Sequence, residues 1–286
     1  MKGNDMNAVT GLTTSAPRLR YDVQGPRERY REGGPAHHTF VLAHALGCDL
    51  TMWDALAHHL AEHGRVVRYD QRGHGGSEAP AGPYTMAELA DDAARLIGEL
   101  ADELEFGPVV WVGLSMGGMV GQELALRHPG QVRALVLANT TSGYPADAQA
   151  GWSQRIASIA QGGLEAIVDG ALQRWFHASF HAQQPQTVAH WRARVLACDA
   201  ASYIACCHAI AGLDTTGRLP GIAAPALVIA GALDQGTPPE MARVIAQGIP
   251  GARLVVLPEA SHLSVLEQPL AFRSAVDDWL QQALPA

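Results

Sequence analysis

The chain of 286 residues has few cysteines, few aromatic residues and no long apolar segment. Its four cysteines, Cys48, Cys198, Cys206 and Cys207, fit neither a disulfide framework nor a paired-cysteine metal site. No apolar run approaches the roughly 18 residues that a membrane span needs, and the N-terminus lacks the apolar core of a secretory signal. We therefore expect no membrane partner and a cytoplasmic, reducing environment.

A basic surface is also missing. Lys and Arg number 20 against 28 Asp and Glu, which gives a formal net charge of −8. A mildly acidic chain without a basic stripe argues against a nucleic-acid partner. The 48% of hydrophobic residues is instead typical of a folded globular protein, and a single α/β domain often reaches this length.

Short runs rich in valine and leucine alternate with longer helical patterns, which predicts βα units and a mostly parallel sheet of roughly eight strands flanked by helices. A hairpin of residues 18–23 and 27–31 would form the antiparallel edge. The other predicted strands are residues 39–44, 65–69, 109–114, 132–138, 226–231 and 252–257.

The predicted domain organisation has three parts. Residues 1–17 are expected to be a flexible leader, and residues 18–141 and 221–286 to form the α/β core. Residues 142–220 contain amphipathic helical patterns and no convincing strand, so we expect a helical cap inserted after the sixth strand.

The sequence Gly113-Leu114-Ser115-Met116-Gly117 matches G-x-S-x-G. The pattern alone is weak, but here a predicted strand precedes it and a predicted helix follows it. A serine at such a sharp strand-to-helix turn is raised above the sheet, beside the positive end of a helix. Ser115 is therefore the candidate nucleophile.

A serine hydroxyl needs a base that is itself oriented by a third group. Asp234 follows the predicted strand 226–231, and His262 follows the strand 252–257. Both come after strand ends, at the same edge of a parallel sheet as Ser115, and the order Ser, Asp, His is that of many hydrolases. Asn139 occupies an alternative position for the acid, but it carries no charge, which favours Asp234.

An oxyanion hole needs two fixed backbone N–H donors. Met116, directly after the nucleophile, is one candidate, and Leu46 in the loop after strand 39–44 is the other. His44 precedes that loop and is either a substrate-binding residue or a brace for the loop. We favour the brace, because His262 already fills the role of the base.

Two further segments contain residue types found in metal and catalytic sites, but their spacing favours structural roles. Residues 70–77 (DQRGHGGS) lack a second ligand at metal-binding spacing, so we expect a tight turn packed beside the candidate nucleophile. Cys206, Cys207 and His208 are adjacent, and neighbouring residues on a helix point apart rather than toward each other. We therefore expect them to line the cap or its core.

Several of these stretches are similar to those of a known family. The chain resembles the α/β-hydrolases from about residue 18 onward, and within them the 3-oxoadipate enol-lactonases. The stretches that carry the resemblance are GLSMGGMVGQ, QVRALVLANT, HLSVLEQP and the RWF of the cap, whereas the loop His44-Ala45-Leu46-Gly47 departs from the Asn-Ser-Leu-Gly type expected there.

The resemblance implies an enzyme that opens a small ester or lactone without a metal or other cofactor, most specifically an enol-lactone. The alternatives are a perhydrolase or C–C bond hydrolase with the same triad, or a ligand sensor. A substrate carboxylate would need a cation in the cap, for which the candidates are Arg155, Arg174, Arg192 and Arg194. Trp152 and Trp175 are candidate pocket walls.

Overall fold

One sheet of eight strands organises the chain, in the order β1-β2-β4-β3-β5-β6-β7-β8. The computed structural model describes residues 9–25 and 38–284. β1 pairs antiparallel with β2 and β2 antiparallel with β4, whereas all other pairs are parallel. The predicted mostly parallel sheet is therefore confirmed. The strands are β1 (Val9–Leu12), β2 (Arg20–Gln24), β3 (His38–Ala43), β4 (Gly64–Tyr69), β5 (Val109–Leu114), β6 (Val132–Ala138), β7 (Ala226–Gly231) and β8 (Arg253–Leu257).

Helices flank this sheet because the central strands are apolar on both faces. All residues of β4, β5 and β7 are buried, so each face needs a covering layer. Helix α2 packs against α3, and α1 contacts α11. The helices of the core are α1 (Asp54–Leu60), α2 (Met86–Leu104), α3 (Met116–Arg127), α9 (Pro239–Gly248), α10 (Ser264–Glu267) and α11 (Pro269–Ala283).

The chain between β6 and β7 is helical, and we call residues 142–220 the cap, with the boundaries proposed from the sequence. Its buried side chains, among them Trp191 and Tyr203, belong to the same apolar cluster as those of the sheet. Helix α4 packs on α8, and α5 on α7. The cap helices are α4 (Ala146–Gly162), α5 (Val168–Trp175), α6 (Ala178–Gln183), α7 (Pro185–Leu196) and α8 (Ala200–Ala211).

The antiparallel edge differs from the expectation. β2 pairs with Val9–Leu12, a strand inside the predicted leader, so a flexible leader over residues 1–17 is wrong for that part. The segment is held further by Glu99, whose carboxylate accepts hydrogen bonds from the Thr14 and Ser15 amides at 2.7 and 3.2 Å. The second half of the predicted hairpin, residues 27–31, lies outside the described residues.

No single helix among the described residues is long and apolar enough to cross a membrane. Helices α7 and α8 reach that length and composition only together, and they are bent by 96° at their junction.

Candidate active site

Ser115 lies at the turn between β5 and α3 in a strained backbone conformation. Its φ is 55° and its ψ −114°, a combination that non-glycine residues rarely adopt. The turn is this sharp because glycines flank it. A Cβ at Gly113 would lie 2.1 Å from the Gly117 carbonyl oxygen, and a Cβ at Gly117 would lie 2.0 Å from the Ala43 carbonyl oxygen. Only glycine fits at either position, and the resulting turn presents Ser115 at the carboxyl edge of the sheet.

Ser115, His262 and Asp234 form a continuous chain of hydrogen bonds. His262 Nε2 lies 2.9 Å from Ser115 Oγ, and His262 Nδ1 lies 2.8 Å from Asp234 Oδ2. An ionised carboxylate can only accept hydrogen bonds, so Nδ1 carries the proton and donates it. Nε2 is then free to accept from the serine hydroxyl, which is the arrangement a general base requires. The structure thus brings together the three residues selected from the sequence.

The Asp234 carboxylate is held by several donors in a buried position. The Gly236 and Thr237 amides donate to Oδ1 at 2.8 and 3.0 Å, and the Thr237 hydroxyl and Asn139 Nδ2 donate to Oδ2 at 2.8 and 3.0 Å. Burial is the strongest influence on this carboxyl and would raise its pKa, but the charge of His262 and the hydrogen bonds together lower the pKa below its usual value. Asp234 therefore stays ionised beside the imidazole.

The loop that carries His262 is tied to the cap. The Leu263 amide donates to the Trp175 carbonyl at 3.1 Å, and the Glu267 carboxylate accepts from the His177 amide at 2.6 Å. Burial raises the pKa of Glu267. The position of the candidate base therefore depends on where α5 ends.

The amides around Leu46 have fixed directions. The Ala45 amide donates to a methionine sulfur at 3.4 Å, and the Gly47 amide donates to His74 Nε2 at 3.0 Å. Ala45 and Leu46 also line the cavity described next. On the other side, Met116 supplies the first amide of α3, where the helix dipole favours negative charge. Leu46 and Met116 accordingly remain the candidate oxyanion donors.

A cavity of about 530 Å³ opens above Ser115 and His262, and residues of the cap form much of its wall. Trp152 and Trp175 both line it, as do Arg155 and Arg174. The Arg155 guanidinium lies 4.8 Å from the centroid of the Trp152 ring. Burial, and then the charge of Arg155, lower the pKa of Arg174. Neither guanidinium lies within ion-pair distance of a carboxylate among the described residues, so no carboxylate in this part of the chain neutralises their charge.

The two other candidate arginines point elsewhere. Arg192 is exposed and pairs with Asp169 at 2.7 Å, and Arg194 pairs with Asp49. Neither belongs to the lining of the cavity. Both are therefore excluded as contacts of a ligand bound above Ser115.

His44 is not a substrate contact. It is fully buried away from the cavity, its Nε2 accepts a hydrogen bond from the Gln71 amide at 2.9 Å, and its ring centroid lies 5.0 Å from that of His74. Burial lowers the pKa of His44 to about 4 and that of His74 to about 3, so both rings are neutral braces. The prediction that His44 binds substrate is therefore wrong, whereas its interpretation as a brace for the loop agrees with these contacts.

The adjacent cysteines of α8 point into the protein and their histidine neighbour does not. Cys206 and Cys207 are buried, whereas His208 is exposed. Burial raises the pKa of the Cys207 thiol to about 12, which leaves almost no thiolate at neutral pH. These residues do not form a Cys/His pair.

The family model described as alpha/beta hydrolase fold matches residues 38–269. The chain belongs to the α/β-hydrolase fold family. It is 35% identical to 3-oxoadipate enol-lactonase 2 of Acinetobacter baylyi, over 93% of this chain and 94% of that protein. The crystal structure of the enol-lactonase from Burkholderia xenovorans LB400 is similar with a TM-score of 0.86 and 37% identity, over 95% of this chain and 100% of that one. The crystal structure of a hydrolase from Pseudomonas aeruginosa PA01 is similar with a TM-score of 0.85 and 37% identity, over 99% of this chain and 100% of that one.

Two residues at this site of the α/β-hydrolase, Thr237 and Tyr203, were not predicted from the sequence, whereas Asn139 was weighed there as an alternative acid. Thr237 and Asn139 hold the Asp234 carboxylate, and the Tyr203 ring lines the cavity. The Tyr203 hydroxyl is buried and has no hydrogen-bond partner among the described residues. Of Thr237 and Tyr203, only Thr237 left a sequence signal, since a hydroxyl residue three positions after an aspartate is typical of a side-chain-capped turn.

Proposed function

We propose that the chain hydrolyses a carboxylic ester or lactone through an acyl-enzyme formed on Ser115. The observation that carries the proposal is the hydrogen-bonded chain from Ser115 through His262 to Asp234, which opens into a cavity of about 530 Å³. In that arrangement a hydroxyl, a neutral imidazole and an ionised carboxylate occupy the places that nucleophilic catalysis requires.

The chemistry follows from these groups. His262 Nε2 removes the hydroxyl proton as Ser115 Oγ attacks the carbonyl carbon, and Asp234 stabilises the imidazolium that forms. The Leu46 and Met116 amides donate hydrogen bonds to the carbonyl oxygen as negative charge develops on it. The imidazolium then protonates the leaving oxygen, which in a lactone stays tethered to the acyl group. A water molecule activated by His262 releases the acid and restores Ser115.

The proposed substrate class is a lactone that carries a carboxylate, and specifically an enol-lactone such as 3-oxoadipate enol-lactone. The guanidinium groups of Arg155 and Arg174, which pair with no carboxylate among the described residues, support this class, since their planar forks suit a carboxylate. The enol-lactonases among the relatives agree with the assignment.

The nucleophile is tested by replacing Ser115 with alanine and measuring turnover of a chromogenic short-chain ester. We expect Ser115→Ala to lose at least about 10³-fold in kcat and to resist labelling by an organophosphorus reagent. Ser158→Ala is the matched control, because Ser158 lines the same cavity without contacting the triad, and its activity should stay within a few fold. Turnover that survives Ser115→Ala would refute the mechanism, and wild type that neither turns over nor becomes labelled would favour a ligand sensor.

The substrate class is tested with Arg155→Gln and Arg174→Gln against two substrates, 3-oxoadipate enol-lactone and a neutral ester of similar size. A lost charge-assisted hydrogen bond corresponds to about 1.5–3 kcal/mol, so kcat/KM for the enol-lactone should fall about 10- to 150-fold. Activity on the neutral ester should change little. Arg192→Gln, which alters an exposed cap arginine paired with Asp169, is the control. An equal loss on both substrates, or no preference of wild type for the enol-lactone, would remove the carboxylate from the proposal.

A further inference from the structure

A group of three potential metal ligands lies at the end of α1, and we call His59, Glu62 and His63 the α1 cluster. One ring nitrogen from each histidine and one oxygen of Glu62 lie within 4.8 Å of one another. His59 is on the last turn of the helix, and the other two residues are in the turn that leads to Gly64, the first residue of β4. Two histidine nitrogens and a carboxylate oxygen are a ligand set for divalent transition metals.

The buried member of the cluster is already held in the orientation of a ligand. His59 Nε2 lies 2.9 Å from both carboxylate oxygens of Asp277 on α11. Because a carboxylate accepts, Nε2 is the protonated nitrogen, and the lone pair of the neutral ring is on Nδ1. Nδ1 faces the Glu62 carboxylate across 4.0 Å, a gap too long for a hydrogen bond. A carboxylate behind a ligating histidine is the usual second partner in protein metal sites.

The three ligand atoms are close enough for one ion to join them after a small movement of the side chains. Metal–ligand bonds of about 2.0–2.2 Å place two ligands of one tetrahedral ion about 3.4 Å apart, so distances within the cluster have to shorten by up to about 1.4 Å. Glu62 and His63 are exposed and can move by side-chain rotation, whereas His59 is fixed. The charged groups that α11 adds are Asp277 and Arg273, and Arg273 Nε lies 3.7 Å from Asp277 Oδ2.

We propose that the α1 cluster binds one divalent transition-metal ion of the Zn²⁺, Ni²⁺ or Cu²⁺ class. His59, Glu62 and His63 supply three ligands, water completes the coordination, and Asp277 orients His59. The cluster precedes the amino end of β4, while Ser115 follows the carboxyl end of β5, so the two sites lie at opposite edges of the parallel sheet. The ion would join the α1 turn to α11 and take no part in hydrolysis.

The test uses the full chain, without an affinity tag and treated with a chelator, titrated with Zn²⁺ in a calorimeter. We expect saturable binding of one equivalent in wild type. His63→Ala and Glu62→Gln each remove an exposed ligand without disturbing the core and should weaken binding at least about tenfold. Asp277→Asn should weaken it about 10- to 100-fold, the usual effect of losing the carboxylate behind a ligating histidine. Electron paramagnetic resonance of the Cu²⁺ form should show two nitrogen ligands in wild type and one in His63→Ala.

Two controls make the result specific. His58→Ala removes an exposed histidine one residue away from the cluster and should bind Zn²⁺ as wild type does. His262→Ala removes the imidazole of the candidate active site and should also leave one equivalent bound. Loss of binding in His262→Ala, wild-type affinity in His63→Ala, or the absence of saturable binding would each overturn the proposal.

Discussion

Two buried histidines should make the stability of the protein depend steeply on mild acid. His44 and His74 brace the loops beside the candidate nucleophile, and each uses Nε2 to accept a backbone amide hydrogen bond, from Gln71 and Gly47 respectively. Protonation of Nε2 would destroy each of these bonds and place a charge in a dry site. The folded state therefore keeps both rings neutral, with a pKa of about 4 for His44 and about 3 for His74.

The magnitude follows from the difference between the folded and unfolded pKa values. An unfolded histidine has a pKa of about 6.5, so the unfolded chain takes up protons below that pH while the folded chain does not. The free energy of unfolding consequently falls as the pH drops from about 6.5 toward the folded values, and is restored above 6.5. Between pH 7 and pH 5 each ring accounts for a loss of about 2 kcal/mol, or about 4 kcal/mol for the pair. This is a large part of the 5–15 kcal/mol typical of a folded domain.

The assay is urea unfolding followed by tryptophan fluorescence at several pH values between 7 and 5. His74→Gln removes one titrating group, so it should be less stable than wild type at pH 7 but lose only about half as much stability on going to pH 5. His208→Gln, at an exposed position of α8, should keep the full wild-type dependence. A wild-type free energy of unfolding that is flat over this range, or a His74→Gln variant that keeps the full pH dependence, would refute the account.

Three further predictions concern the site and the sheet edge. Thr237→Val removes the hydroxyl that donates to Asp234, so kcat/KM should fall about tenfold and the acidic limb of the pH–rate profile should move to higher pH with little change in Tm. Gly117→Ala would drive a Cβ to 2.0 Å from the Ala43 carbonyl oxygen, and its thermal unfolding should show a loss of several kcal/mol or no folding at all. Deletion of residues 1–12 removes β1 and exposes the edge of β2, which should lower Tm by several degrees, whereas an unchanged Tm would show that the edge strand adds no stability.

The strands that could be predicted from the sequence are those buried on both faces. The bounds of β5, β6 and β7 match the predicted residues because continuous valine and leucine runs end at glycine or polar residues there. β1 could not be found in this way. Most of its residues are exposed, so it has no apolar pattern, and it is held by backbone pairing to β2 and by contacts around Glu99 that join residues distant in sequence.

The candidate triad was predictable because each member follows a strand, and parallel strands bring their carboxyl ends to one edge. The cap was less predictable. Arg155, Arg174, Arg192 and Arg194 look alike in sequence, and the rotation of each cap helix decides which guanidinium reaches the cavity. Tyr203 was missed for the same reason, since nothing local in the sequence indicates that this residue lines the cavity.

Hydrogen bonds join the end of cap helix α5 to the loop that carries His262, so substrate specificity and catalysis cannot change independently there. The end of α5 supplies Trp175 to the cavity wall, and its carbonyl also accepts the amide of Leu263, the residue after His262. Glu267 adds a second tie through the His177 amide. A substitution that shifts α5 to admit a larger substrate will therefore also displace the imidazole from Ser115. Changes in this segment should alter kcat together with KM, whereas changes in α4, which contributes Arg155, can alter KM alone.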